Sequence, residues 1–167
     1  MASRPKKILD EPLLCEPDGY AGNPERKSPP TQTVHHWSLT LMLERAETLR
    51  RIARYGHGSA TEPVTKYPRH CTMLTFRGHD GVAELHDDFA DLYLVLDGHA
   101  TMVTGGVLIG GLPIDEGEYR GLHIEDGLSR ELRVGDVVHV PAGVPHQILV
   151  GADRTVTCFV VRIKETA

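Results

Sequence analysis

The fold of this chain is decided by two glycine-bounded stretches, GHDGVAELHDDFADLYLVLDG at residues 78–98 and GDVVHVPAGVPH at residues 135–146. In the first stretch, Glu84 and His86 are two residues apart, so in a β-strand both side chains emerge on one face, about 7 Å apart. In the second stretch, two prolines and Gly143 predict a tight turn that aims His146 inward. Both stretches therefore present side chains that can converge on one ion.

The sequence around these stretches predicts a mostly β structure. From residue 69 onward, short apolar runs are separated by glycine, which predicts strands at 71–76, 82–86, 92–96, 100–104, 107–109, 137–140, 147–150 and 155–163. Several short strands separated by turns indicate a sandwich or barrel. The run 91–96 is apolar on both faces apart from Asp91, so both faces must be covered. One faces the interior, and the other needs a helix, a second sheet or a second subunit.

The first 68 residues differ in character from the rest. Residues 1–34 contain six of the eleven prolines, which predicts an extended arm. We expect residues 35–68 to form a helix and a linker that pack on the barrel of residues 69–167. Ser38 begins a helical pattern that runs from residue 39 to residue 55, and Gly56 ends it. The apolar stripe of this amphipathic helix consists of Leu39, Met42, Leu43, Ala46, Leu49 and Ala53. Because its opposite face mixes both charge signs, we expect it to pack on the barrel wall rather than on a membrane.

Composition excludes several classes of function. The chain of 167 residues, 40% hydrophobic and 25% charged, is typical of one globular domain. A net charge of -5 without a basic stripe excludes a nucleic-acid-binding protein. No apolar run approaches the roughly 20 residues that span a bilayer, and no secretory signal is present, so we expect a cytoplasmic protein without a membrane partner. Cys15, Cys71 and Cys158 are few and far apart, which is typical of reduced thiols.

The two stretches resemble the paired motifs of the cupin superfamily. The motifs are Gly78-x5-Glu84-x-His86-x4-Asp91-x6-Gly98 and, 36 residues later, Gly135-x5-Pro141-x-Gly143-x2-His146. The family's motifs read G-x5-H-x-H-x(3,4)-E-x6-G and G-x5-P-x-G-x2-H-x3-N. The chain departs from them at three positions, with Glu84 in place of histidine, Asp91 in place of glutamate and Val150 in place of asparagine. The resemblance covers residues 70–163 and implies an all-β fold, a cupin jelly-roll β-barrel with an N-terminal extended arm and one amphipathic helix.

The resemblance also implies a metal site inside the barrel. The matching positions give the ligand set His86, His146, Asp91 and Glu84. Two imidazoles and two carboxylates favour Mn, Fe or Zn over Cu. Two alternatives stay open: Glu84 either ligates the ion or only accepts a hydrogen bond from a ligand histidine, and the shorter Asp91 reaches the ion directly or through water.

Candidates for a catalytic role come from the strand after the first motif and from the glycine-rich insert 105–133. Tyr93 has the same strand parity as Asp91 and is a predicted pocket wall. In the insert, which we interpret as a long loop, Arg120 could bind a substrate carboxylate, and Tyr119 or His123 could act as acid or base. The alternative for all three is plain solvent contact.

Two functions are compatible with this sequence. The first is a metal-dependent enzyme of the dioxygenase, isomerase or lyase type that acts on a small organic molecule. The second is a non-catalytic module that binds or senses a small-molecule ligand, since a fold alone does not imply catalysis. Cupins commonly dimerise through the outer faces of their sheets, so the resemblance also implies a homodimer.

Overall fold

A computed structural model describes residues 34–165, which contain one α-helix and twelve β-strands. Apart from Val34, the arm expected at residues 1–34 lies outside the described residues. The elements are α1 (Leu39–Tyr55), β1 (Ser59–Lys66), β2 (His70–Arg77), β3 (Ala83–His86), β4 (Phe89–Thr104), β5 (Val107–Ile109), β6 (Leu112–Asp115), β7 (Glu118–Gly121), β8 (His123–Glu125), β9 (Leu128–Arg133), β10 (Val137–Val140), β11 (His146–Leu149) and β12 (Val156–Lys164).

The strands form a curled antiparallel barrel of two sheets that share β4. One sheet has the order β1–β2–β12–β4–β10 and the other the order β6–β7–β3–β11–β4–β9, while β5 and β8 form a separate hairpin. The first half of β4 pairs with β12 and β10, and its second half pairs with β9 and β11. Gly98 lies between the halves with φ +76°, where L side chains are disfavoured. The predicted all-β barrel with one helix is confirmed.

The helix begins and ends where the sequence predicts. The side chain of Ser38 accepts a hydrogen bond from the backbone N–H of Leu41 at 3.2 Å, and Gly56 follows the last turn. The residues of α1 that are buried against the outer face of the barrel are Met42, Ala46, Leu49 and Ala53. Leu39 and Leu43, which we expected in the apolar stripe, are 58% and 38% exposed. Leu43 lies to the side of the buried stripe and Leu39 lies in the first turn.

The helix covers the outer face of β4. This agrees with the sequence prediction, because both faces of that strand are apolar and each needs to be covered. Leu94 and Leu96 belong to the cluster that α1 forms with the sheet, together with Leu74 and Phe76 of β2. The inner face of β4 packs in a second cluster whose members are Tyr93, Val95, Ala100, Met102, Leu132, Val140, Ile148, Val150, Val156, Cys158 and Val160. This second cluster is the core of the barrel.

Two segments differ from the sequence prediction. The expected linker contains strand β1, which among residues 34–165 pairs with β2 alone and bears an irregularity at Pro63, as an edge strand tolerates. The expected loop 105–133 contains β6, β7, β8 and β9 in addition to the predicted strand 107–109. Strands β6, β8 and β9 are largely exposed and β7 is partly buried, and none of the four has the continuous apolar run by which the other strands were found.

Candidate metal centre

Four predicted ligands come together inside the barrel. One ligand atom from each of Glu84, His86, Asp91 and His146 lies within 4.8 Å of the others. Strand β3 carries Glu84 and His86, β4 carries Asp91, and β11 carries His146. The two histidines and Asp91 are buried, and the side chain of Glu84 is 15% exposed.

Strand register and the turn before β11 place these side chains. His146 lies opposite Glu84 in the pairing of β11 with β3. Gly143, at φ +74°, gives the turn its tight bend, and its N–H donates to the carbonyl of His86 at 2.7 Å. The turn that carries His146 is therefore tied directly to the strand that carries His86.

Both imidazoles are held in the orientation that metal ligands need. Nδ1 of His86 lies 2.5 Å from a carboxylate oxygen of Glu118, and Nδ1 of His146 lies 3.2 Å from the carbonyl of Val144. Since oxygen accepts in both contacts, each Nδ1 carries a hydrogen, and in the neutral form of each ring the free lone pair is on Nε2. An outer acceptor on the far nitrogen is the usual way in which a ligating histidine is fixed. Glu118 was not among the residues singled out from the sequence.

The distances between donor atoms suit a divalent metal ion. Nε2 of His86 lies 3.4 Å from Asp91 Oδ2 and 3.5 Å from Glu84 Oε2. Nε2 of His146 lies 3.6 Å and 4.0 Å from the same two oxygens. Ligands bound at about 2.0–2.2 Å to one ion stand about 3.0–3.6 Å apart in common geometries, so these four separations lie within or slightly above the range that one ion requires. Imidazole nitrogen and carboxylate oxygen are both normal ligands of such ions.

A guanidinium group that sequence reasoning missed also enters this cluster. Nε and Nη2 of Arg162 donate to the two oxygens of Asp91, each at 2.8 Å, and Nη2 also lies 2.8 Å from Nε2 of His86. Arg162 lies directly opposite Asp91 in the pairing of β12 with β4. A signal was present, because Arg162 continues the two-residue spacing of the buried residues Val156, Cys158 and Val160 on the inner face of β12.

Two further arginines flank Glu84. Nη2 of Arg77 lies 3.6 Å from Glu84 Oε1, and Nη2 of Arg120 lies 3.7 Å from Glu84 Oε2. Together with Arg162 they balance the carboxylates of Glu84, Asp91 and Glu118, so the formal charges of the cluster cancel when both imidazoles are neutral. A bound divalent ion would therefore leave a net positive charge in the barrel.

This surrounding charge shifts the acidity of both carboxylates. Burial alone would raise the pKa of Glu84, but the hydrogen bond to His86 and the charge of Arg120 outweigh burial and lower that pKa to about 2. Burial likewise opposes ionisation of Asp91, and the hydrogen bonds from Arg162 hold its pKa well below its usual range. Both carboxylates are ionised at neutral pH and available to a cation.

The acidity of His86 reflects competing neighbours. Burial lowers the pKa of His86, but its contacts with Asp91 and Glu84 outweigh burial and raise the pKa to about 9, while the charge of Arg162 acts in the opposite direction. Nε2 has one lone pair, which a proton and a guanidinium N–H cannot both use. Asp91 and Glu84 thus favour a positive charge at Nε2 of His86, and a proton, a guanidinium N–H and a metal ion would each provide one.

Tyr93 is the catalytic candidate that the structure brings to the cluster. Its hydroxyl oxygen lies 3.2 Å from Asp91 Oδ2 and 3.2 Å from Nε2 of His146. Burial, and then the charges of Asp91 and Glu84, raise the pKa of Tyr93 well above its ordinary value. The side chain is therefore a neutral phenol that can donate a hydrogen bond.

The other catalytic candidates have different positions. Arg120 lies beside Glu84 because β7 pairs with β3. Alternate residues of a strand face opposite sides, so the neighbour Tyr119 faces away from Glu118 and Arg120. His123 is exposed on β8, where its Nε2 lies 3.5 Å from Glu125 Oε1. The structure thus brings Tyr93 and Arg120 to the cluster and leaves Tyr119 and His123 outside it.

A cavity of about 190 Å³ is lined by strand neighbours of Asp91 and His146, although none of the four candidate ligands lines it. Its lining is mostly apolar and consists of Met102, Thr104, Leu128, Arg130, Leu132, Val138, His139, Val140, Pro141 and Val144. Thr104 is the cross-strand neighbour of His146, and Val140 is that of Asp91. A small organic molecule in this cavity would therefore contact residues that pair directly with the strand positions of Asp91 and His146.

Comparison with solved structures shows the same fold. A Klebsiella pneumoniae protein with a double-stranded β-helix domain is 14% identical, with a TM-score of 0.53 over 81% of this chain and 94% of that chain. A Cupin 2 conserved barrel domain protein from Salinispora arenicola is 18% identical, with a TM-score of 0.45 over 64% of this chain and 76% of that chain. The DMSP lyase DddQ from Ruegeria pomeroyi is 18% identical, with a TM-score of 0.48 over 69% of this chain and 52% of that chain.

Comparison of sequences gives no further relative, since no protein-family profile and no curated protein matches this chain. The double-stranded β-helix fold agrees with the cupin assignment made from the two motifs, which is confirmed at the level of fold. Within residues 34–165, no helix has both the length and the apolar character that a membrane span needs.

Proposed function

We propose that this chain, which has the cupin fold, is a metal-dependent enzyme that acts on a small organic molecule. In this proposal Glu84, His86, Asp91 and His146 hold one ion of Mn, Fe or Zn. The observation that carries it is the orientation of two buried imidazoles, each with Nδ1 bonded to an outer acceptor and Nε2 facing two ionised carboxylates. A histidine placed only for packing has no need of that arrangement.

The ion would supply Lewis-acid polarisation of a substrate oxygen or, as Fe, redox chemistry. The chain's own residues supply the rest of the site. The cavity beside Thr104 and Val140 holds the apolar part of a small substrate and excludes bulk water from it. Arg77 and Arg120 lie close to Glu84 and attract a negatively charged substrate group.

Tyr93 favours chemistry in which negative charge develops on a substrate oxygen. Its neutral hydroxyl lies among the candidate ligands, and there it can donate a hydrogen bond to such an oxygen. This supports an isomerase or lyase type of reaction ahead of a dioxygenase.

The homodimer and the cytoplasmic location stay predictions.

A second candidate, a non-catalytic module that binds or senses a small molecule, is favoured by a different observation. Without an ion, Arg162 already provides partners for Asp91 and His86. Such an interior can hold a metabolite in the adjoining cavity with no metal present. The metal content of the protein separates the two candidates.

The experiment is elemental analysis of protein purified without a histidine tag. We expect one first-row transition metal near one equivalent per chain, lost in His86→Ala and in His146→Ala. The control is His99→Ala, an exposed histidine on β4 outside the cluster, which should keep its metal. Wild-type protein without any such metal, or variants of His86 and His146 that both keep it, would contradict the enzyme proposal.

A further inference from the structure

We propose that Arg162 competes with the metal ion for the same donor atoms, so that its guanidinium must leave the cluster before the ion can bind. This inference rests on the proposed metal site. Arg162 then sets the affinity of the site by acting as its resident cation. It is not a ligand and not a support for one.

The contacts of Arg162 distinguish competition from support. A supporting residue contacts the atoms of a ligand that point away from the ion, as Glu118 does at Nδ1 of His86. Arg162 instead places Nη2 at 2.8 Å from both Nε2 of His86 and Oδ2 of Asp91. These are two of the atoms that would bind the ion. Its hydrogens therefore use the lone pairs that the ion needs.

Charge leads to the same conclusion. An ion among these donors would stand within a few ångströms of a fixed guanidinium in a buried environment, where like charges repel strongly. While Arg162 is present, however, buried Asp91 keeps an ionic partner. The arginine thus stabilises the ion-free protein and weakens binding of the ion.

The surroundings provide a second position for the guanidinium. Nη1 of Arg162 already lies 3.7 Å from Glu118 Oε2, and the side chains of both residues are partly exposed, at 19% and 16%. Rotation about the outer torsions of Arg162 can exchange Asp91 for Glu118 as ionic partner. The displaced charge then stays paired with Glu118.

The test is to compare metal affinity in wild type and Arg162→Met. Metal-stripped proteins are titrated with Mn²⁺ and separately with Zn²⁺, and dissociation constants are obtained by calorimetry or chelator competition. Competition predicts a dissociation constant about tenfold or more lower in Arg162→Met, since a charge-assisted hydrogen bond no longer has to be broken. A supporting role predicts the opposite, a constant about ten- to a hundredfold higher.

The matched control is Arg120→Met, which also removes one positive charge next to Glu84 but leaves His86 and Asp91 untouched. We expect a smaller gain in affinity from this variant than from Arg162→Met. Equal gains would mean that general charge repulsion, and not occupation of the donor atoms, is responsible, and they would overturn the proposal.

The remaining outcomes are also decisive. If wild type binds metal and Arg162→Met binds it equally or more weakly, competition is wrong and the metal site stands. If neither protein binds Mn²⁺ or Zn²⁺ and wild type contains no Fe, the proposed function fails and the inference fails with it.

Should Arg162→Met not fold when stripped, Arg162→Lys is titrated instead, because it keeps the charge but loses the planar fork. Its dissociation constant should still be lower than that of wild type, and an equal or higher value would refute competition.

Discussion

Glu118 lies 2.5 Å from Nδ1 of His86 and directs the opposite nitrogen of that ring towards Asp91 and Glu84. Because this contact fixes the tautomer and orientation of His86, Glu118→Ala should weaken metal binding about ten- to a hundredfold with all four proposed ligands intact. Titration of stripped protein with Zn²⁺ measures the effect. Glu116→Ala, an exposed neighbour, is the control. An affinity unchanged by Glu118→Ala would show that Glu118 serves only the arginines.

Glu84 predicts a particular dependence of stability on pH. Its pKa is lowered from 4.5 to about 2 in the folded protein. A lowered pKa contributes stability that is fully present above the unfolded value of 4.5 and is lost as pH falls towards 2. In the presence of EDTA, Glu84→Gln should therefore be less stable than wild type at pH 6, by up to about 3 kcal/mol, and the difference should shrink below pH 4.5. Urea unfolding at several pH values measures it, and a constant difference down to pH 2 would contradict the assigned role of Glu84.

Tyr93→Phe tests the hydroxyl that touches Asp91 and His146. The variant keeps the buried ring but removes a donor that lies 3.2 Å from each of two buried acceptors. We expect a loss of about 1–3 kcal/mol in the free energy of unfolding of the metal-stripped protein. Tyr119→Phe on the opposite face of β7 should change it by less than about 0.5 kcal/mol. Equal effects of the two substitutions would mean that the Tyr93 hydroxyl has no structural partner in the cluster.

Gly98→Ala tests the bend that lets β4 belong to both sheets. A Cβ atom at Gly98 would lie 2.0 Å from the carbonyl oxygen of Thr155, at φ +76°. Gly135 is a matched control, because it also has a positive φ, +91°, but a Cβ there meets nothing within 4 Å. Both alanine variants lose stability from the left-handed backbone, and Gly98→Ala should lose about 1–3 kcal/mol more through steric overlap. Thermal or urea unfolding of the pair gives the difference directly, and similar losses would rule out the overlap.

The sequence predicts those features that depend on local spacing. The two-residue period of a strand places Glu84 and His86 on one face, and the glycine and prolines before His146 fix its turn. The bounds of α1 follow from Ser38 and Gly56, which supply the capping contacts. In each case the residues that predict a feature lie within a few positions of that feature in the sequence.

The features that the sequence does not predict depend on which strands become neighbours. Arg162 reaches Asp91, 71 positions earlier in the chain, only because β12 pairs with β4, and Glu118 reaches His86 because β7 pairs with β3. No spacing rule links such positions. Strands β6, β7, β8 and β9 were not predicted for a different reason, since none of them has the continuous apolar run that identified the other strands.

The pairing of β4 with strands far away in the sequence also bears on how fast the chain folds. Strand β4 lies between β12 and β11, yet both partners follow it in the sequence by more than forty residues. The barrel therefore closes through long-range contacts, which is typical of domains that fold in milliseconds to seconds. Asp91 gains the guanidinium of Arg162 only when β12 pairs with β4. Docking of this one strand thus supplies a sheet partner for β4 and an ionic partner for the buried carboxylate in the same step.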